Sequence, residues 1–145
     1  MMYAAKDIMT KNVICIHKDT PIFEAIDLMI INHITGVPVV DNNKNLVGIL
    51  TEQDVLRLYY KNEEKINKTV SDFMTQPAIH FDEDEYVQDI CDCLRDNSIR
   101  RVPITSNGKV VGIISRSEIM KLIIRQWNTD DSISNHNMIY DRQAS

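Results

Sequence analysis

Cysteine is scarce in this sequence. Cys15, Cys91 and Cys93 are the three present, which is too few for a disulfide framework. Cys91 and Cys93 lie two apart on a predicted helix and point to different faces, so they make a poor metal or redox pair. Long apolar runs are also missing. Stretches such as Leu28 to Ile31 are far too short to span a bilayer. The N-terminus lacks a basic region followed by an apolar one, so no export signal is expected, and the cytoplasm is the default compartment. Basic residues are not in excess: 16 Lys and Arg stand against 21 Asp and Glu, a net charge of −5 with a pI near 5.3. This excludes a nucleic-acid footprint and any general attraction to anionic lipid. His17, His33, His80 and His136 are not at metal-ligand spacing with one another. No Ser-His-Asp order, Walker loop or G-x-G-x-x-G is present, and no nucleophile or base is paired with an orienting group.

What the sequence does contain is a duplication. Gly48-Ile49-Leu50-Thr51-Glu52-Gln53-Asp54 recurs as Gly112-Ile113-Ile114-Ser115-Arg116-Ser117-Glu118. Upstream, Gly36-Val37-Pro38-Val39-Val40 corresponds to Arg101-Val102-Pro103-Ile104-Thr105, and Met9 to Met74. The offset is 65 residues up to the turn after the proline strand and 64 beyond it. A repeat of this period defines the architecture before any local feature does. A unit of about 60 residues is marginal alone, so the two copies are expected to pack together.

Each copy reads β-α-β-β-α, giving an α/β (α+β) fold of tandem repeats. Residues 4–60 form the first repeat, 61–68 a polar linker, 69–127 the second repeat, and 128–145 a loosely ordered tail. Tyr3 to Met9 is a helical lead-in, and Val13 to Ile16 a strand. Thr20 is placed to cap a helix with Pro21 in its first position. That helix carries Ile22, Ala25, Ile26, Met29 and Ile30 at helical spacing. Val37–Val40 and Leu46–Leu50 are strands, and Thr51 opens a helix holding Val55, Leu56, Leu58 and Tyr59. In the second copy, Val70 to Met74 is the lead-in and Ala78 to Phe81 the strand. Asp84-Glu85 opens a helix, two strands span Val102–Thr105 and Val110–Ile114, and a last helix starts at Ser115.

This doubled frame resembles the CBS domain pair, named after cystathionine β-synthase, over about residues 4–126. The resemblance implies a compact pair, usually dimeric. It binds adenosine-containing ligands (AMP, ADP, ATP, S-adenosylmethionine) in two clefts between the repeats, requires no metal, and often regulates another protein. Each cleft is shared: one repeat supplies a carboxylate, and the other supplies the base pocket. Carried over by position, the first cleft uses Thr51, Gln53 and Asp54, with Thr75, Ala78, Ile79, Ile99 and Arg100 around the base. The second uses Ser115, Ser117 and Glu118, with Thr10, Val13, Ile14, Ile34 and Thr35.

Two readings of the motif stand side by side. The first backbone N–H groups of the helices at Thr51 and Ser115 could receive a phosphate, and a carboxylate one turn on suits a ribose diol. Thr51-x-x-Asp54 and Ser115-x-x-Glu118 are equally capping boxes that fix a helix start without ligand. The family usually has Asp where Glu118 stands, and the extra methylene moves the carboxylate outward. Arg100, Arg101 and Arg116 are candidate phosphate ligands, or surface partners of the many carboxylates. Position puts the arginine-rich set beside Glu118, since its counterparts in the first copy are Thr35, Gly36 and Glu52. The resemblance also implies phosphates that run toward the middle of the pair, so that Arg100 and Arg101 could serve either cleft.

The reading preferred from sequence is a non-enzymatic regulatory module that binds an adenine nucleotide. The alternative is a ligand-free dimeric scaffold. A homodimer is expected because Leu28, Ile31, Leu58, Leu94 and Ile124 are apolar residues that the unit has no evident means of covering. The regulated protein is not identified by the sequence.

Overall fold

The computed structural model describes residues 2–60 and 68–128. The chain runs α1 (Ala5–Ile8), β1 (Ile16–His17), α2 (Ile22–Ile31), β2 (Gly36–Val40), β3 (Leu46–Thr51) and α3 (Glu52–Leu56), continued by a 3-10 turn at Arg57–Tyr60. A second 3-10 turn at Val70–Asp72 leads into β4 (Phe81–Asp82), α4 (Val87–Asp96), β5 (Arg101–Ser106), β6 (Lys109–Ser115) and α5 (Arg116–Asn128). Two three-stranded sheets form, ordered β1-β2-β3 and β4-β5-β6. In both, the first pair is parallel and the second antiparallel. Even the irregularities repeat, with the register shifting at Val39/Val40 and at Ile104/Thr105. The predicted fold class is therefore observed. The expectations for residues 61–67 and 129–145 fall outside the described residues.

Several local expectations are corrected. The outer strands are two residues long and lie later than Val13–Ile16 and Ala78–Phe81. β2 pairs with β1 only from Val39, and β5 with β4 only from Ile104. The residue before each ladder is Pro38 or Pro103, which has no N–H to extend it. Thr20 does not cap α2, because the boundary residue is Pro21 and no side chain caps it. Helix α4 begins at Val87 rather than at Asp84-Glu85. Leu58 and Tyr59 lie on the 3-10 turn and not on α3. Leu94, expected to be left over, is 3% exposed in the core. Ile31 is indeed 73% exposed, and Leu28, Leu58 and Ile124 are half-buried.

The lead-ins are exchanged between the repeats. Ala5, on α1, is fully buried among Val87, Ile90, Val102 and Ile104 of the second repeat. Val70 is fully buried among Ile16, Ile22, Val37 and Leu50 of the first. The backbone bonds that dock them are duplicated at the offset of 65. Ala5 N–H donates to Glu85 (2.8 Å) and Val70 N–H to Thr20 (2.9 Å). Val87 N–H donates to Tyr3 (2.9 Å) and Ile22 N–H to Lys68 (3.0 Å). Next along, Thr75 and Ile49 exchange two backbone bonds (2.8 and 3.0 Å), as do Thr10 and Ile113 (both 2.9 Å).

This exchange explains the glycine of each motif. A Cβ on Gly48 would stand 2.8 Å from Met74 Sδ and 2.9 Å from the Thr75 carbonyl oxygen. On Gly112, the three nearest atoms would all belong to Met9. The incoming segment crosses so near the strand that a side chain at either position would force its neighbours to move, backbone included at Gly48. The β2–β3 and β5–β6 turns also meet: Leu46 N–H donates to Gly108 (2.9 Å) and Val110 N–H to Lys44 (3.3 Å).

Candidate functional site

At the other end of these hairpins the chain builds a cleft. β2 and β3 begin and end together, pairing Gly36 with Thr51, and β5 and β6 do the same with Arg101 and Ser115. One residue beyond, Glu52 N–H donates to Thr35 (2.9 Å) and Arg116 N–H to Arg100 (3.2 Å). The two hairpin ends border a cavity of about 560 Å³. Thr35, Gly36, Thr51, Glu52 and Gln53 line it from the first repeat, and Ser98, Ile99, Arg100, Arg101 and Arg116 from the second. Ile49, Pro77 and Ile79 supply apolar wall, and Thr75 a hydroxyl.

Of the residues expected in the first cleft, Thr51, Gln53, Thr75, Ile79, Ile99 and Arg100 are brought together. Ala78 is 7% exposed and is not among the lining residues. Asp54 does not line it either, being 1% exposed beneath Thr51 and Thr75. Its carboxylate is occupied. Oδ2 accepts from the Thr51 N–H and Oγ1 (both 2.9 Å), and Thr75 Oγ1 reaches Oδ1 at 3.1 Å and Oδ2 at 3.3 Å. Arg57 approaches Oδ1 at 3.4 Å. With Asp54 N–H donating to Thr51 Oγ1 (3.3 Å), this is a complete capping box, extended across the repeats by Thr75.

The second motif is built alike. Thr10 Oγ1 donates to Glu118 Oε1 (2.8 Å), while the Ser115 N–H (2.7 Å) and hydroxyl bind Oε2. Burial alone would raise the Glu118 pKa, but the bonds from Ser115 and Thr10 outweigh it and hold the carboxyl below its ordinary value. The longer side chain therefore does not displace this carboxylate from its capping role. Ser115, Ser117, Glu118, Thr10, Val13, Ile14 and Ile34 do not line the 560 Å³ cleft, whereas Thr35 does.

The arginines lie on the Thr51 side, where the resemblance puts Arg100 around the base and allows Arg101, and not beside Glu118. Arg100, Arg101 and Arg116 line the cleft that holds Thr51, opposite Glu52 as its one carboxylate. Among the described residues none of the three forms an ion pair. Arg101 Nη2 donates to Thr35 Oγ1 (3.2 Å) across the repeats, and Arg116 Nη2 to the Leu94 carbonyl (3.2 Å). Arg101 Nε is buried without an acceptor. Some of the helix-start donors expected to be open are taken: those of Glu52 and Arg116 by backbone carbonyls and that of Asp54 by Thr51, while the Ser115 N–H just before α5 goes to Glu118. The three arginine side chains give the cleft its positive charge.

Sequence reasoning missed Gly36, Ile49, Glu52, Pro77 and Ser98 as lining residues. Ile49 was within reach, because it lies two before Thr51 on a strand and so shares its face. Pro77 and Ser98 adjoin residues already singled out.

The CBS domain family model matches residues 5–61 and 70–125. The chain belongs to the CBS domain family. A crystal structure of the Arabidopsis thaliana CBS-pair protein CBSX2 in complex with AMP superposes with a TM-score of 0.76 at 27% identity, covering 85% of this chain and 97% of that one. The CBS domain pair of protein MJ0100, in complex with 5′-methylthioadenosine and S-adenosyl-L-methionine, gives a TM-score of 0.73 at 31% identity, covering 87% and 99%. Inosine-5′-monophosphate dehydrogenase of Methanocaldococcus jannaschii is 35% identical over 118 residues, 81% of this chain and 23% of the enzyme. The chain spans less than half the length of that enzyme and of other curated relatives it matches. Among the described residues no helix is long and apolar enough to cross a membrane.

Proposed function

We propose that this CBS pair is a regulatory module that takes an adenosine-containing ligand in the cleft between its repeats and conveys the ligand state to another protein. The observation that carries the reading is the cleft's three-part lining. The apolar edge of Ile49, Pro77, Ile79 and Ile99 suits a purine. The hydroxyls of Thr51 and Thr75, with Gln53, suit a ribose, and Arg100, Arg101 and Arg116 supply cationic donors. AMP in CBSX2 and S-adenosylmethionine in MJ0100 support the ligand class. A ribose diol that reaches Asp54 replaces the Thr75 hydroxyl there, with no cost in unmade bonds to the carboxylate. Because the lining comes from both repeats, a ligand that fits one arrangement of them better than another shifts the balance between the two.

The module is proposed to act as a homodimer. Leu56 and Met120 are 62% and 64% exposed at equivalent positions, and Tyr59 and Ile123 are 85% and 45% exposed. The same apolar edge is therefore presented twice, and a second copy would cover both patches. Leu56→Asp is expected to lower the mass measured by light scattering from dimer to monomer.

The fully engaged carboxylates of Asp54 and Glu118 favour a second reading, a scaffold whose clefts stay empty. Calorimetry of the full chain with AMP, ADP, ATP and S-adenosylmethionine decides between the two. Saturable heat and a raised melting temperature with at least one are expected. No heat and no thermal shift with any would leave the scaffold.

A further inference from the structure

We propose that this cleft selects adenosine ligands by the charge of the 5′ substituent. It favours a phosphorylated, anionic one over a neutral or sulfonium one, and Arg101 and Arg116 make the distinction. The inference rests on the reading above and concerns which member of that ligand class this chain takes. Relatives of the same fold hold AMP in one case and 5′-methylthioadenosine with S-adenosylmethionine in another. The backbone frame admits either, and the side chains of each protein must decide.

Here they form one cationic wall. Arg101 and Arg116 are each held by a neutral acceptor, Thr35 Oγ1 and the Leu94 carbonyl, both at 3.2 Å. Their orientation is thus fixed while their charge stays uncompensated. The Arg101 Nε is buried and closed to a ligand in the cleft, so it is the terminal nitrogens of Arg101 and Arg116, each with one neutral partner, that can donate to a phosphate. The planar guanidinium fork suits phosphate oxygens. A sulfonium would instead add a positive charge beside three arginines, with Glu52 as the cleft's one carboxylate. In the first repeat Thr35, Gly36 and Glu52 stand where the second has Arg100, Arg101 and Arg116. The phosphates must therefore run toward the second repeat.

Titration calorimetry of the full chain with ATP, AMP, 5′-methylthioadenosine and S-adenosylmethionine, at low and high salt, tests this. ATP is expected to bind about tenfold or more tighter than 5′-methylthioadenosine, with S-adenosylmethionine weakest. Salt should weaken ATP binding and leave the neutral ligand unchanged. Arg101→Gln and Arg116→Gln should each reduce the preference for ATP while 5′-methylthioadenosine binds as before, which also shows that the variant is folded. Arg101→Lys should not restore the preference, because one ammonium cannot replace the fork. S-adenosylmethionine or 5′-methylthioadenosine binding as tightly as ATP would overturn the proposal and leave the regulatory reading standing. So would an ATP preference that survives both glutamine variants. If none of the four binds, both readings fall.

Discussion

Replacing Gly48 by alanine tests whether the exchanged lead-ins set the requirement for glycine. The new Cβ would lie 2.9 Å from the Thr75 carbonyl oxygen, against an ordinary contact of 3.4 Å or more. That oxygen cannot retreat freely, because it accepts the Ile49 N–H at 3.0 Å while Thr75 N–H donates back at 2.8 Å. Relief requires the two backbones to separate, adding overpacking to weakened hydrogen bonds, together about 3 kcal/mol. For a chain of this size that is a fall of roughly 9–15 °C in melting temperature. Gly112→Ala meets Met9 side-chain atoms first, and a methionine can shift. Its cost should be about 1 kcal/mol, a fall of roughly 3–5 °C. Gly36→Ala is the control. Its nearest neighbour would be the Leu50 carbonyl oxygen at 3.8 Å, so it should stay within about 0.5 kcal/mol of the parent. Differential scanning calorimetry on the three variants measures the order. If Gly48→Ala melts with the parent, or costs less than Gly112→Ala, the reasoning from backbone contact is wrong.

Other perturbations have equally defined outcomes. Asp54→Ala should cost about 2–4 kcal/mol without any ligand, since it removes a helix cap and leaves the Thr51 and Thr75 donors unmet, and urea titration reads it directly. Glu118 has a folded pKa below its ordinary value. Its contribution is present above the unfolded pKa and is lost as pH falls through the depressed folded one. Melting temperature followed from neutral to acid should therefore drop less steeply for Glu118→Gln. Lys44 adopts φ 65 where the second repeat has Gly108 at φ 82, so Lys44→Gly should raise stability by about 0.5–1 kcal/mol in thermal melts. Leu94→Ala should cost about 2–5 kcal/mol by urea titration, while Ile31→Ala, at 73% exposure, should be near neutral.

The duplication was legible because it is written in residue types that the backbone demands. Gly48 and Gly112 mark the crossings, and Pro38 and Pro103 the middle strands. The exchange of lead-ins was not legible. Apolar spacing tells which face of Ala5 or Val70 is buried, but not in which repeat, and here the answer is the other one. The ends of the outer strands were misjudged because β-branched residues at Val13–Ile16 looked paired, while pairing was limited by the partner's proline. Position along each copy puts Arg116 one cleft away, because it ignores strand pairing. Thr35 meets Glu52, and Arg100 meets Arg116, so each hairpin end brings two distant residues side by side. Asp54 and Glu118 admitted two roles from sequence, and the capping one is visible in both motifs.

The reciprocal docking of Ala5 and Val70 makes each repeat the template for its twin. Because the same bonds recur at one offset, a lone repeat carrying its own lead-in would fit the slot of an identical copy. Two such chains would rebuild the pair by swapping segments, at a rate set by their concentration. Joining the copies covalently turns that encounter into an intramolecular one with a high effective concentration. It follows that a nick between residues 60 and 68 should not release two halves. The pieces should stay together as a complex and melt in a single transition, as one cooperative unit.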